Sequence, residues 1–279
     1  LTRQTMNKTK LRLSLLLLGS LALGSCSKSG GNEFTAEGTI TDAAGKTLYL
    51  ETTDTDEPQL IDSVTLDEKG RFRFHREAHS YPAFYRLRLG ESFIPFAADS
   101  LTHLTLSASG KDLFSTYKIE SGDEANKQIR EIGQLRTATD KAIEAILTQL
   151  NNGTLDRGVA LARIDSLSTQ LKNTLTSKYI FNDPKGAAAY YALFQSYLGG
   201  TYFSIDHPGD DRAFSAVATA YDAFHPNAPY TPLLKQAALR SIAMARARQR
   251  EAHPDTTMTA APVEVVAFPE IRLRDQKGQ

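Results

Sequence analysis

Residues 60–75 read LIDSVTLDEKGRFRFH, and this stretch predicts the fold of the N-terminal part of the chain. Residues 60–66 are predicted to form one strand, and residues 71–75 alternate strictly, with Phe72 and Phe74 on the same face. A two-residue period is typical of a strand that buries one side. The segment Asp67-Glu68-Lys69-Gly70 lies between them and predicts a hairpin turn that ends in glycine.

Similar segments lie on both sides of this stretch. Residues 34–41 alternate weakly, residues 42–46 predict a turn, and residues 47–52 are interpreted as the returning strand. Further strands are predicted at residues 84–90, 93–96 and 103–107. Seven or eight short strands at this spacing predict an antiparallel β-sandwich or a barrel-like sheet over residues 34–120.

The apolar period changes to three or four residues from about Ser121 onward. This period predicts an α-helical domain over residues 121–251, and the fold class is therefore α+β. We expect the first helix to be capped by Ser121 or Asp123 and to end at Asn151-Asn152-Gly153. A second apolar stripe, from Leu161 to Leu175, predicts a helix that returns antiparallel to the first.

Three more helices are predicted in the rest of this domain. Asp183-Pro184 is interpreted as the start of the third, with aspartate as the cap and proline in the first helical position. Residues 211–224 predict a fourth helix, with Asp211 as its cap. Thr231-Pro232 predicts the start of a fifth, whose last turns carry three arginines where the helix dipole favours cations.

The first 25 residues have the composition of a secretory signal peptide. Lys8, Lys10 and Arg12 precede an apolar run at residues 13–23, which is too short to span a bilayer and is followed by small residues. The remaining 254 residues carry 28 basic and 32 acidic side chains, a net charge of −4. That charge argues against a nucleic-acid partner, because nucleic-acid binding needs a basic stripe.

Cys26 is the only cysteine of the chain, and it follows Leu23-Gly24-Ser25 directly. This exit resembles a bacterial lipobox, which implies that Cys26 is lipidated and that residues 26–33 tether the folded part to a membrane. The expected location is the outer membrane, facing the periplasm. The alternative is an ordinary signal peptide with a chance cysteine. An acylated Cys26 leaves no thiol for redox catalysis, nucleophilic catalysis or metal binding.

The last 28 residues are predicted to be a linker followed by one strand. Residues 252–261 are polar, residues 263–273 alternate, and the sequence then stops on a turn, Asp275-Gln276-Lys277-Gly278. A strand needs a partner, and none follows in this sequence. We therefore interpret residues 252–279 as a linker and the truncated start of a further domain.

Several motifs of the β region resemble a family called domain of unknown function 4369, which is common in envelope lipoproteins of Gram-negative anaerobes. The matching motifs are Gly45-Lys46-x-Leu48-Tyr49-Leu50, Ile61-Asp62-Ser63-Val64, Gly70-x-Phe72-x-Phe74 and Pro82-x-Phe84-Tyr85-x-Leu87. In such proteins this module and a helical region precede a thioredoxin-like domain of the TlpA type. Phe268-Pro269-Glu270-Ile271 resembles the entry strand of that domain. The family's Cys-X-X-Cys would lie beyond Gln279, so the resemblance implies no catalytic residue and no cofactor in this chain.

Four other groups of residues were weighed as candidate sites. His75 and His79 have the spacing of a metal pair, but exposed strand-end histidines are the simpler interpretation. The loop 206–211 could hold calcium or take part in catalysis, but a turn at Pro208-Gly209 and a helix cap at Asp211 explain it better. The aromatic side chains of Tyr190, Tyr191, Phe194, Tyr197, Tyr202 and Phe203 could line a ligand groove or form core. Three Asp-Ser-Val/Leu triplets, at residues 62–64, 99–101 and 165–167, resemble a short O-glycosylation signal.

Two functional classes remain open after these exclusions. The first is the non-catalytic sensing or spacing region of a membrane-anchored lipoprotein whose parent is a thioredoxin-like thiol-disulfide oxidoreductase. The second is a stand-alone binding lipoprotein that captures a peptide, a glycan or a protein partner in the envelope. The sequence contains no motif of a phosphate loop, a dinucleotide site or a nucleophile elbow, so none of these motifs favours an enzyme.

Overall fold

The computed structural model describes residues 32–54, 57–197 and 200–252. The predicted signal peptide, Cys26 and the predicted strand at residues 263–273 lie outside the described residues. Among the helices that the structure does describe, none is both long enough and apolar enough to cross a membrane.

Two four-stranded sheets form the N-terminal part. In the first sheet the strand order is β4-β1-β7-β8, and β1 lies between an antiparallel partner, β4, and a parallel one, β7. Its strands are β1 (Glu33–Thr41), β4 (Arg71–Glu77), β7 (His103–Ser109) and β8 (Lys118–Ile119).

The second sheet has the order β3-β2-β5-β6, and each of its neighbouring pairs is antiparallel. Its strands are β2 (Thr47–Thr52), β3 (Gln59–Thr65), β5 (Ala83–Leu89) and β6 (Ser92–Ala98). Both sheets bury one face in a single apolar core, to which the first contributes Phe34 and Ile40 and the second Leu48 and Leu87. The prediction of a sandwich is therefore confirmed, and in the described chain the sheets do not close into a barrel.

Two of the predicted strand pairings are wrong. The turn at residues 67–70 does form, with Gly70 donating to the carbonyl of Asp67 at 2.8 Å, but it connects β3 in one sheet to β4 in the other. The turn after β1 likewise leads into the opposite sheet. Gly70 has a φ of 72°, and a Cβ there would lie 1.9 Å from the carbonyl oxygen of Ile40, so only glycine fits this crossing. The parallel pairing of β1 with β7 also corrects the expectation of a wholly antiparallel sandwich.

Six helices and a two-stranded hairpin make up the rest of the described chain. The helices are α1 (Leu113–Thr116), α2 (Glu124–Asn151), α3 (Arg157–Leu175), α4 (Ala187–Leu193), α5 (Asp211–Phe224) and α6 (Thr231–Ala252). A π-helical turn (Thr176–Ile180) extends α3, and β9 (Ser196–Tyr197) pairs with β10 (Gly200–Thr201).

The helix boundaries confirm most of the sequence signals. The Asp123 carboxylate accepts from the Asn126 N–H at 3.0 Å and caps α2, which ends before Asn152 as predicted. The predicted start of the third helix is wrong, because α4 begins only at Ala187. Asp183 instead starts a turn, in which its backbone carbonyl accepts from the Gly186 N–H. Asp210 rather than Asp211 occupies the cap position of α5, and its carboxylate makes no capping bond there.

The helical part packs on the outer face of the second sheet. Phe84 of β5 and Ala97 of β6 point away from the sandwich core and belong to the core of the helices instead. Asn126 of α2 is 2 % exposed, and its side chain both accepts from the Ala97 N–H and donates to the Ala97 carbonyl, each at 2.8 Å. The Tyr230 hydroxyl donates to the Pro82 carbonyl at the other end of the contact. Asn126 thus continues the hydrogen bonding of edge strand β6, which would otherwise have unpaired backbone groups.

Candidate ligand-binding cleft

A cleft of about 810 Å³ lies where the helices stop covering the second sheet. Its position follows from the alternation of β5, which turns Tyr85 and Leu87 toward the sandwich core and Phe84, Arg86 and Arg88 to the outer face. The helices cover Phe84, whereas Arg86 remains partly exposed. Residues of β5, β6, α2, α4 and α6 line the space between them.

Aromatic rings form one wall of this cleft. Tyr190 of α4 lies at the centre, with its ring centroid 4.9 Å from that of Phe84, 4.7 Å from that of Phe194 and 4.6 Å from that of Tyr230. Rings at these distances attract one another and bury a large apolar area. Phe194 directly follows α4 and is 45 % exposed, so this cluster presents an open aromatic surface to the cleft.

Further exposed apolar side chains line the cleft on the sheet and on the helices. Phe93 of β6 is 40 % exposed, and Leu233 in the first turn of α6 is 66 % exposed. The guanidinium carbon of Arg86 lies 5.1 Å from the centroid of the Phe93 ring, in the range of a cation–π contact. An apolar surface with a few convergent polar groups is typical of a small-molecule site.

Arg86 is fixed by a buried carboxylate. Its Nε donates to Oε2 of Glu51 at 2.6 Å, while Nε of Arg88 donates to Oε1 of the same glutamate at 2.8 Å. Burial alone would raise the pKa of Glu51, but the hydrogen bonds from the two arginines outweigh it and hold the pKa below its usual value of 4.5. Glu51 is therefore ionised, and one negative charge is shared by two positive ones.

Asp54 is a second carboxylate near the cleft, and its pKa is shifted in the direction opposite to that of Glu51. It accepts from the Phe84 N–H at 2.9 Å, yet burial against the aromatic cluster raises its pKa above the usual 3.8. Burial, with the Asp54 charge as a smaller cause, also raises the pKa of Tyr190 to about 12. The tyrosine hydroxyl is therefore neutral in the physiological range, and the aromatic wall carries no charge of its own.

The two histidines singled out from the sequence lie outside this cleft. His75 Nε2 is 3.1 Å from the Glu33 carboxylate on the neighbouring strand, and the His79 ring stacks on Tyr81 with centroids 4.8 Å apart. The two histidine rings therefore have different contact partners, Glu33 for His75 and Tyr81 for His79. Among the described residues, no group of three histidine, cysteine, aspartate or glutamate side chains is arranged to hold a metal ion.

The loop at residues 206–211 instead contains part of a buried ion pair. The Asp210 carboxylate is 6 % exposed and lies 2.7 Å from Nζ of Lys172 on α3. It also accepts from the Ser204 N–H at 2.9 Å, while His207 lies 3.6 Å away on the exposed side. These contacts hold the loop against α3, which gives Asp210 a structural role.

The predicted aromatic group is divided by the structure. Tyr190, Tyr191 and Phe194 line the cleft, whereas Tyr202 and Phe203 are buried in the helical core. Tyr197 is partly buried against the same core. The core interpretation is therefore confirmed for Tyr202 and Phe203, and the ligand groove stays a prediction for Tyr190, Tyr191 and Phe194. Sequence reasoning missed the sheet side of the cleft, Glu51, Arg86 and Phe93, although the alternation of residues 84–90 already places Phe84 and Arg86 on one face.

Comparison with known proteins gives one match. No curated protein and no solved structure matches the chain. A family model described as "Domain of unknown function (DUF4369)" matches residues 34–128, which cover the sandwich and the first residues of α2. The resemblance drawn from the motifs of the β region is thereby confirmed for this part, and residues 34–128 of the chain form a DUF4369 domain.

Proposed function

We propose that this chain is the non-catalytic binding region of a membrane-anchored envelope lipoprotein and that it senses or captures a ligand in the aromatic cleft. The observation that carries the proposal is the open wall of Tyr190 and Phe194 facing Phe93 across a volume of about 810 Å³. Clefts that bind drug-sized ligands have volumes of about 300–1,000 Å³ and are lined mainly by apolar and aromatic side chains. Phe93 is 40 % and Phe194 45 % exposed to water, and a ligand would gain by covering these exposed ring surfaces.

The position of the cleft also supports a sensing role. It lies between the sandwich and the helical part, and residues of both line it. A ligand bound there contacts β5 and β6 on one side and α4 and α6 on the other. Ligand sites occur preferentially at such junctions. A ligand that contacts both sides can change how they pack, which a sensor requires.

A neutral hydrophobic dye, N-phenyl-1-naphthylamine, tests the binding proposal. Its fluorescence rises on transfer from water to an apolar site, and the chain has no tryptophan to interfere. We expect Phe194→Ala to weaken dye binding at least about fivefold, because the ring supplies one face of the site. The matched control is Phe224→Ala, which removes a phenylalanine that is 61 % exposed but lies outside the cleft. Equal effects of the two substitutions would contradict the proposal.

The membrane anchor is a separate part of the proposal and rests on the sequence around Cys26. Cells fed a fatty-acid analogue should label the wild-type protein and leave Cys26→Ser unlabelled, because the thiol is the proposed acylation site. Equal labelling of both proteins would refute the anchor without affecting the cleft. The proposal that a thioredoxin-like domain follows rests on the resemblance of residues 268–278, and an in-frame Cys-X-X-Cys codon pair downstream would support it.

A further inference from the structure

We infer that the ligand of the cleft is a small amphiphilic anion, with an apolar body on the Tyr190–Phe194 wall and a carboxylate-like head at Arg86. This inference rests on the proposed function, since it names the ligand class of the same site. It follows from the charge of the ion cluster that contains Arg86, the orientation of Arg86 and the distribution of apolar surface.

The ion cluster that contains Arg86 has a positive charge balance. Glu51, Arg86 and Arg88 form a cluster of one carboxylate and two guanidinium groups, so the cluster carries one unit of excess positive charge. Arg88 points away from the cleft, with its guanidinium carbon 4.4 Å from the Tyr49 ring centroid and its Nη1 donating to the Gly90 carbonyl. The excess charge is therefore available to a ligand at Arg86, which lines the cleft.

The guanidinium of Arg86 is already held in a binding orientation. Its hydrogen bond to Glu51 uses Nε, so the two terminal amino groups take no part in that bond. The Phe93 ring at 5.1 Å supports one face of the guanidinium plane. A planar group fixed in this way can donate two parallel hydrogen bonds to a carboxylate, sulfonate or phosphate at little further entropic cost.

The other charged groups of the cleft do not provide an equivalent site. Arg136 is paired with its own carboxylate, Asp140, which also accepts from the Tyr202 hydroxyl at 2.6 Å. Glu91 lies in the exposed turn between β5 and β6, where solvent screens its charge. Asp54 is a carboxylate, and it accepts a hydrogen bond from the Phe84 N–H beside the aromatic cluster. Arg86 therefore differs from Arg136, because its carboxylate partner, Glu51, is shared with a second arginine. It also lies beside the apolar surface of the cleft.

A pair of dyes with the same aromatic body measures the preference for an anion. 8-Anilinonaphthalene-1-sulfonate differs from N-phenyl-1-naphthylamine by one sulfonate group. All variants are made in the full chain with Cys26→Ser, so that no acyl chain competes with the dye for the cleft. Dye that binds elsewhere on the chain then contributes equally to every sample. We expect Arg86→Gln to raise the Kd of the sulfonate dye about tenfold or more and to change that of the neutral dye less than about twofold.

The matched control is Arg88→Gln, which also removes one of the two hydrogen bonds to Glu51 but lies outside the cleft. Because it removes the same unit of charge but no hydrogen-bond donor that lines the cleft, it should raise the Kd of the sulfonate dye by less than about threefold and leave that of the neutral dye unchanged. Equal weakening of both dyes by Arg86→Gln, or equal effects of the two arginine substitutions on the sulfonate dye, would overturn the inference. Binding of the neutral dye that depends on Phe194 would still support the proposed function, so the two failures are distinguishable.

A competition experiment on the unsubstituted cleft keeps the test independent of folding effects. 1-Naphthaleneacetate and 1-naphthaleneacetamide have nearly the same shape and differ in charge. The acetate should displace the neutral dye at about tenfold lower concentration than the amide, because only the acetate forms charge-assisted hydrogen bonds with Arg86. Displacement at the same concentration would overturn the preference for an anion.

Discussion

Replacement of Asn126 by alanine should destabilise the protein strongly, although the residue lies outside the cleft. Asn126 is buried, and its amide serves both backbone groups of Ala97 on edge strand β6. Alanine has no hydrogen-bonding group, so the substitution leaves the Ala97 N–H and carbonyl without a protein partner. A buried polar group that loses its partner costs about 1–3 kcal/mol. The expected loss in the free energy of unfolding is therefore about 2–5 kcal/mol.

Urea denaturation followed by circular dichroism measures this loss. The control is Asn173→Ala on α3, where the side chain is exposed and the change should stay within about 0.5 kcal/mol. Asn126→Asp is a sharper variant, because its carboxylate can still accept from the Ala97 N–H but cannot donate to the carbonyl and stands beside Asp123. It should be destabilised as well. A loss for Asn126→Ala no greater than that for Asn173→Ala would refute the reasoning.

Two further predictions concern charged groups. Lys172→Met should lower the free energy of unfolding by about 3–5 kcal/mol, because it leaves the Asp210 carboxylate buried without its cation. The control, Lys235→Met, breaks an exposed ion pair and should cost less than about 1 kcal/mol in the same denaturation assay. The ionised Glu51, whose pKa is lowered in the folded state, stabilises the fold above pH 4.5 and loses that contribution as the pH falls below it. Glu51→Gln should therefore show a shallower loss of stability between pH 5 and pH 3 than the wild type, and an equal slope would contradict the assignment.

The sequence predicted which segments form strands and helices better than it predicted how they pair. Alternation in residues 71–75 shows that Phe72 and Phe74 share a buried face, but it does not identify the neighbouring strand. Because both sheets bury their inner faces in one core, β3 and β4 have the patterns of a hairpin while lying in opposite sheets. The period of the residues is therefore a guide to burial, and the pairing depends on the whole topology.

The candidate cleft could be predicted only in part for a similar reason. The aromatic residues after Ala189 were recognisable as a group, but the same helical spacing is typical of core and of a ligand wall. The cleft depends on bringing Phe84 beside Tyr190 and Tyr230, which are more than a hundred positions away in the sequence. Glu51 and Arg86 gave no motif, since their ion pair arises from the register of β2 and β5.

The parallel pairing of β1 with β7 also governs the order in which the sandwich can fold. In the second sheet, β2 with β3 and β5 with β6 are close in sequence and need only short loops to pair. The first sheet has no such start around β1, because Thr35 lies opposite His75 of β4 on one side and opposite His103 of β7, 68 positions later, on the other. Closing a loop of this length costs conformational entropy before the strands make stabilising contacts, so it slows folding. Sheets built from distant pairs form in milliseconds to seconds. The second sheet should therefore form first, and β1 should gain its partners β4 and β7 later, which completes the first sheet.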